Sequence, residues 1–383
     1  MASIELVGAT KNFGKVRALN NVSLKIEDKE FFVLFGPAGA GKTTILNIIA
    51  GIHIPNEGVV KINDEIVNKI EPQGRNVAMV FENYALYPNL KVYDNIASPL
   101  RSPRYKKDEA FIKENVTRVA ALLKIDHLMD RFPVQLSNGQ RQRVALGRAL
   151  VRYPNVYLMD EPLAHLDAKL RNLMRSELKI IQSNFDTTAI YVTHDFMEAM
   201  SLSDRIAVVN KGEIIQVGTS DEIYYLPTNE FVAQLMGDPE INLISCEVDI
   251  GNNYFGVKMT DFDVVCPLPE DDGVFSKLKE HPNKRVHMGL RPHNIDYSFD
   301  PKDGYVKGIL FSYETIGNKS VITAIINGVA EVRVIAPNGL RFTLDQDVYI
   351  RLDLMRALFF DADTADFICR YDEASVRSLA KGA

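Results

Sequence analysis

Phe31-Phe32-Val33-Leu34-Phe35 runs into Gly36-Pro37-Ala38-Gly39-Ala40-Gly41-Lys42-Thr43-Thr44, and Ile45-Leu46-Asn47-Ile48-Ile49-Ala50 follows before Gly51. An apolar run, a glycine-rich loop and an apolar stretch ended by glycine read as buried strand, loop and helix. The glycines let successive backbone N–H groups turn inward around a polyphosphate with no Cβ in the way, and the helix start adds its positive end. Lys42 is placed to reach the β and γ phosphates, and the Thr43 hydroxyl to ligate Mg²⁺. The fold class that follows is α/β, built around a P-loop that binds a nucleotide's phosphates.

Upstream of the loop, Ile4-Glu5-Leu6-Val7 and the alternating Val22-Ser23-Leu24-Lys25-Ile26 read as strands, with Phe13-Gly14 between them beside a turn. By residue type alone such a phenylalanine is more often core than ligand. Downstream, strand signals return at Gly58–Ile62 and Asn76–Phe81. From about Tyr84 the texture turns helical, broken by Pro88, Pro99 and Pro103, and Ile112, Val116, Val119 and Leu123 then recur at helical spacing. This reads as a helical insertion over about residues 84–155. The basic cluster Arg101, Arg104, Lys106 and Lys107 reads as a solvated linker rather than a docking site.

Ser137 and Gln140 stand three apart ahead of Val144, Ala145 and Ala149, the pattern of a capping box and a second candidate anion site. Val156-Tyr157-Leu158-Met159 ends in Asp160-Glu161, paired acids suited to metal binding and water activation. A helix carrying Leu170, Leu173, Met174, Leu178 and Ile181 precedes the strand Thr188–Thr193, which ends at His194-Asp195. A histidine at the C-terminal end of such a strand points toward the ligand crevice of an α/β nucleotide fold.

Around Gly237-Asp238-Pro239 the pattern changes to short alternating segments, among them Glu247–Ile250, Arg285–Met288, Val321–Ile326 and Val348–Arg351. The expected division is a cassette over 1–236 and a β-rich barrel or sandwich over 237–383. With 383 residues, 46% of them apolar, the chain has material for two cores. No stretch reaches the length of a membrane span and Met1–Glu5 lacks the pattern of a signal peptide, so the protein is expected to stay where it is made. Cys246, Cys266 and Cys369 show no metal-ligand spacing and read as reduced core thiols. A net charge of −6 argues against a mainly electrostatic attachment to nucleic acid or to anionic lipid, and leaves room only for a local basic face.

The phosphate loop, Leu136-Ser137-Asn138-Gly139-Gln140, the strand ending Asp160-Glu161, Leu166-Asp167 and His194 follow one another in an order and spacing that resembles the ATPase subunit of ATP-binding-cassette transporters over residues 3–236. Met79-Val80-Phe81, Tyr84–Pro88, Gln140–Ala145 and the tail with Leu290-Arg291-Pro292 are similar to the maltose-type branch, which drives sugar importers. That resemblance implies a tail of OB-like folds used for regulation and dimerisation. It implies ATP and Mg²⁺ as cofactors, with Phe13 stacking on adenine and Gly36, Pro37, Ala38, Gly39, Ala40, Gly41, Lys42, Thr43 and Thr44 holding the phosphates. Thr43, Asp160 and Glu82 would serve the metal, Glu161 would be the general base and His194 the γ-phosphate sensor. Ser137, Gly139, Gln140 and Asp167 would act across a dimer of two ATPase subunits, identical or paralogous, closing around ATP. The implied partners are two transmembrane permease subunits, whose coupling helix would enter the groove near Glu82–Pro88, and indirectly an extracytoplasmic solute-binding protein. The implied location is the cytoplasmic face of the cell membrane.

Three positions depart from the family pattern. Glu82 stands where a glutamine is usual, Asn138 replaces the first glycine of Leu-Ser-Gly-Gly-Gln, and Ala164-His165 replaces a small polar pair. Asn138 is expected to exploit its tolerance of left-handed backbone. The departures leave an ATP-binding regulatory half of an asymmetric ATPase pair as the alternative to a self-sufficient hydrolase.

Overall fold

A computed structural model describes residues 2–371 except 165, 186, 251–254, 261–263, 269–271, 318 and 340–342, with the backbone alone at 181–185 and 272. His165 therefore lies outside the described residues. The chain divides into two compact units, Met1–Asp221 and Glu222–Ala383.

The first unit is built on a six-stranded sheet in the order Glu213–Gly218, Arg205–Asn210, Phe31–Phe35, Thr188–Thr193, Val156–Asp160, Val77–Val80. The last five are parallel and only the edge strand Glu213–Gly218 runs against its neighbour. Parallel strands covered on both faces read as continuous apolar runs. Accordingly Phe31–Phe35, Val156–Asp160 and Thr188–Thr193 are buried at every position. The helix Lys42–Ala50 lays Ile45, Leu46, Ile48 and Ile49 into one core with Phe32, Leu34, Leu158, Ile190 and Val192. Gly51 ends it in left-handed geometry, its N–H capping the Asn47 and Ile48 carbonyls.

A four-stranded antiparallel sheet, in the order Val16–Ile26, Ile4–Phe13, Glu57–Ile62, Glu65–Ile66, belongs to the same unit. Its first two strands run on from the expected cores to a tight turn at Gly14, where φ is +58°. Phe13 stands beside that turn.

The insertion holds the helices Val92–Arg101, Glu109–Leu122 and Asn138–Leu150. They pack closely at Gly147, where a Cβ would lie 3.1 Å from Leu123, 3.3 Å from Val119 and 3.4 Å from Ile96. Pro99 does not break the chain as expected; it sits inside the first of these helices. A proline there removes the donor for the Asn95 carbonyl, and the Ser98 hydroxyl replaces it at 2.8 Å. Among the described residues no helix is long and apolar enough to cross a membrane.

The second unit contains two antiparallel sheets. One runs Val264–Pro267, Phe255–Met259, Asn242–Ile250, Arg285–Leu290, Leu358–Asp361, Phe367–Arg370; the other runs Ile295–Ser298, Asp347–Leu352, Val306–Ile316, Lys319–Ile326, Ala330–Pro337. Ile244, Val286, Met288, Leu310, Ile322, Ile350 and Phe359 share a single core, joined by Cys246 and Cys369, neither of which forms a disulfide. The unit begins ahead of Gly237 because Arg291 binds the preceding segment to it. Its guanidinium donates to the carbonyls of Met236 and Tyr224 and lies 3.5 Å from the centre of the Tyr224 ring, while His287 pairs with Glu230 at 2.6 Å.

Candidate functional site

The parallel strands Phe31–Phe35, Val156–Asp160 and Thr188–Thr193 are adjacent, so their C-terminal ends open on one edge of the sheet. That edge brings together the phosphate loop, Asp160-Glu161 and His194, as open α/β sheets place their ligand crevices. Gly36 leaves the strand hard against its neighbour: a Cβ there would lie 2.2 Å from the Val209 carbonyl oxygen. Gly41 caps the following helix with no side-chain hydrogen bond, which leaves the first-turn N–H groups for a ligand.

Lys42 is buried and donates to the carbonyls of Gly36 and Pro37, each at 2.8 Å, bending its ammonium back over the loop. Burial lowers its pKa, opposed by the charges of Glu161, Asp160 and Glu82. The Thr43 hydroxyl donates to Asp160 Oδ1 at 3.1 Å. Asp160 is pushed up to about 6, first by burial and further by Glu82 and Glu161, against the opposing pull of Thr43 and Lys42. A buried carboxylate crowded by two others beside a threonine hydroxyl is a donor set of the kind Mg²⁺ takes, hard oxygens with negative charge in excess.

Glu161 has φ +44°, a left-handed conformation rare for glutamate. It is held from both sides: its N–H donates to the Val192 carbonyl at 3.1 Å, and its own carbonyl accepts from Gln142 Nε2 at 3.2 Å. Its side chain meets His194, with Nδ1 2.9 Å from Oε1. The histidine ring is largely exposed and the carboxylate mostly covered. Beneath them Glu198 is buried and accepts hydrogen bonds from Tyr191 and Thr193, each at 2.8 Å. Burial raises the pKa of Glu198 as well.

The remaining expected residues stand apart from this cluster. Phe13 is 42% exposed, with the His53 ring T-shaped to it at 5.1 Å between ring centres and the Lys11 ammonium 5.3 Å from its ring centre. Ser137 accepts from the Gln140 N–H at 3.3 Å and Gln140 Oε1 accepts from the Ser137 N–H at 3.0 Å, so the capping box forms. The Gly139 carbonyl accepts from Arg143, and Asp167 caps its own helix at the Leu170 N–H. Asn138 is the first residue of the helix and has no positive φ, so its tolerance of left-handed backbone is not used. Glu82 is exposed in the turn after Val77–Val80 and acts on Lys42 and Asp160 through its charge.

Between the sheet and the insertion lies a groove of about 1050 Å³, lined by residues including Met79, Phe81, Tyr87, Pro99 and Arg148. Two residues that sequence reasoning missed shape it. Buried Asn95 accepts from the Tyr87 N–H and donates to the carbonyls of Tyr87, Leu90 and Lys91. Arg148 donates to the carbonyls of Ala85 at 2.7 Å and Tyr84 at 3.1 Å. Neither contact has a sequence signal, because each pairs a helix residue with backbone atoms of a loop.

The ABC transporter family model matches residues 19–164. The trehalose/maltose import ATP-binding protein MalK of Thermococcus litoralis is 40% identical over 385 aligned residues, covering 96% of this chain and 100% of that protein. The sn-glycerol-3-phosphate import ATP-binding protein UgpC of Roseobacter denitrificans is also 40% identical, over 96% of this chain and 99% of that protein. Among solved structures, a dimeric ATP-binding cassette in a post-hydrolysis state bound to ADP and phosphate matches with a TM-score of 0.53 at 30% identity, covering 57% of this chain and 98% of that one. With full-length relatives at this identity and a phosphate loop, paired acids and histidine assembled on one sheet edge, the chain belongs to the ABC transporter family, as an ATPase of the maltose-type importer branch.

Proposed function

We propose that this chain hydrolyses ATP at the sheet edge described above and drives import of a carbohydrate or related polar solute through two permease subunits at the cytoplasmic face of the membrane. The observation that carries the reading is the Glu161–His194 pair at 2.9 Å, set next to Asp160, Thr43 and Lys42. The loop N–H groups and Lys42 bind and neutralise the phosphates. Glu161 orients a water and takes its proton, with His194 holding the carboxylate and facing the γ-phosphate. Thr43, Asp160 and Glu82 would hold Mg²⁺, which spreads charge off the β and γ oxygens. Phosphoryl transfer needs positioning and charge stabilisation more than covalent chemistry, and these residues supply both.

Ser137, Gly139, Gln140 and Asp167 form local hydrogen bonds within their own segments. This suits residues that meet the nucleotide of a second ATPase subunit. The groove beside Tyr84–Tyr87 suits a permease helix, and the β-rich sheets of the second unit, which follow residue 237, suit an OB-like regulatory and dimerisation role. Phosphate release by the purified protein with Mg-ATP, alone and with its permease, tests the proposal. Turnover that the permease stimulates supports it, whereas tight ATP binding with no turnover in either state would favour the regulatory alternative.

A further inference from the structure

The basic linker that the sequence offers as a solvated stretch is one wall of a pocket. Residues 102–107 connect the helices Val92–Arg101 and Glu109–Leu122, and Arg104, Lys106 and Lys107 line a cavity of about 380 Å³ with Arg152, which follows the helix Asn138–Leu150. Those four cations converge from two separated parts of the chain, and no carboxylate lines the cavity. Arg101 next door is neutralised by Asp94 and Glu109, but Arg104, Lys106 and Lys107 make no ion pair with a described residue. Asp108, the nearest acid in sequence, caps its helix at the Phe111 N–H. In a chain of net charge −6 this is a concentrated positive field with a shaped floor.

The floor and walls are apolar and aromatic: Leu100, Tyr105, Phe111, Val151 and Tyr153. Arg152 is fixed there by its hydrogen bond to the Val77 carbonyl and lies 4.4 Å from the centre of the Tyr105 ring, so it is oriented before any ligand arrives. Arg104, Tyr105 and Arg152 also line the larger groove, so the two cavities share a wall.

We propose that this pocket binds the phosphate of an anionic phospholipid headgroup. The cations match the phosphate charge, and the aromatic and aliphatic walls match the glycerol and upper acyl carbons beside it. A free sugar phosphate has the charge without the apolar half. The placement beside a permease groove rests on the proposed function; the binding itself does not, since it needs neither ATP nor permease.

The test is partition of the full-length protein, without nucleotide, onto vesicles of phosphatidylglycerol and phosphatidylcholine compared with phosphatidylcholine alone. Each basic side chain near an anionic surface contributes about fivefold to partition, so changing Arg104, Lys106 and Lys107 together to Gln should reduce binding by about a hundredfold. A control with the exposed Lys277, Lys279 and Lys302 changed to Gln alters net charge equally and should bind as the parent does. Glycerol phosphate at millimolar concentration should compete weakly. Equal partition to both vesicle types, equal loss in the control, or full displacement by glycerol phosphate would each overturn the lipid assignment. ATP turnover in solution should be unchanged in a variant with only Lys106 and Lys107 changed to Gln, neither of which lines the larger groove, and this separates the result from that of the ATPase reading.

Discussion

Arg148→Ala should disconnect the groove from the nucleotide without weakening nucleotide binding. The loop that leaves Glu82 passes through two consecutive left-handed residues, Tyr84 at φ +66° and Ala85 at φ +44°. Neither is glycine, and holding both there costs at least about 2 kcal/mol. The Arg148 guanidinium grips the carbonyls of those same two residues and lies 5.3 Å from the Tyr87 ring centre. Burial lowers its pKa, which marks how far these contacts must replace water. Two bonds from a charged donor, discounted because Ala85 is exposed, contribute about 2–4 kcal/mol together. Clamp and strain are therefore of similar size. Removing the clamp lowers the population of the turn by about thirty- to several hundredfold. The assay is phosphate release with and without permease, beside ATP binding by equilibrium dialysis and a melt to verify folding. Stimulation by permease should be lost while ATP affinity stays within about twofold; Arg148→Lys, which offers a point charge in place of a fork, should be intermediate. A folded Arg148→Ala protein with full stimulation would refute the reasoning.

Gly36→Ala should abolish ATP binding and destabilise the first unit by about 3 kcal/mol or more, because the new Cβ meets the backbone oxygen of Val209 at 2.2 Å, which cannot yield. Gly39→Ala, with open space around it but φ +76°, should lose only about 1 kcal/mol, and paired melts separate the two. Asp160 gives a pH signature. Burial raises it to about 6 from an ordinary 3.8, so the folded protein holds that proton more tightly than the unfolded chain. Its effect on stability is then unfavourable as pH rises between those values, by about 3 kcal/mol at most. Nucleotide-free Asp160→Asn should therefore melt higher than the parent at pH 8 and lose that advantage at pH 4, while losing Mg-ATP hydrolysis at both. Arg291→Ala removes a buried guanidinium that holds Met236 and Tyr224 to the second unit, and should lower that unit's stability by about 3–5 kcal/mol in a chemical melt.

What could be read from the sequence was whatever is encoded locally. The phosphate loop needs glycine where backbone approaches backbone, the Ser137–Gln140 box satisfies its own N–H groups, and buried parallel strands spell themselves as apolar runs. Long-range pairings left no such trace. The Glu161–His194 contact follows from the parallel register that sets Asp160 beside Val192, and Arg148 meets Tyr84 and Ala85 across 64 and 63 residues respectively. Pro99 misled because its helix is completed by a side chain, the Ser98 hydroxyl. The basic linker looked solvated because Arg152, which turns it into a pocket, lies far along the chain. Asn138 keeps ordinary helical backbone because the Ser137–Gln140 capping box makes it the first residue of the helix.

The central claim is that Glu161 activates water for ATP hydrolysis in a site otherwise built to bind ATP. Its most direct test is the Glu161→Gln protein, given Mg-ATP and followed for retained nucleotide and released phosphate. The account predicts that ATP stays bound and unhydrolysed, with turnover reduced by about two to four orders of magnitude, the usual contribution of a general base. Rapid phosphate release by that variant would contradict it and remove Glu161 from the chemistry.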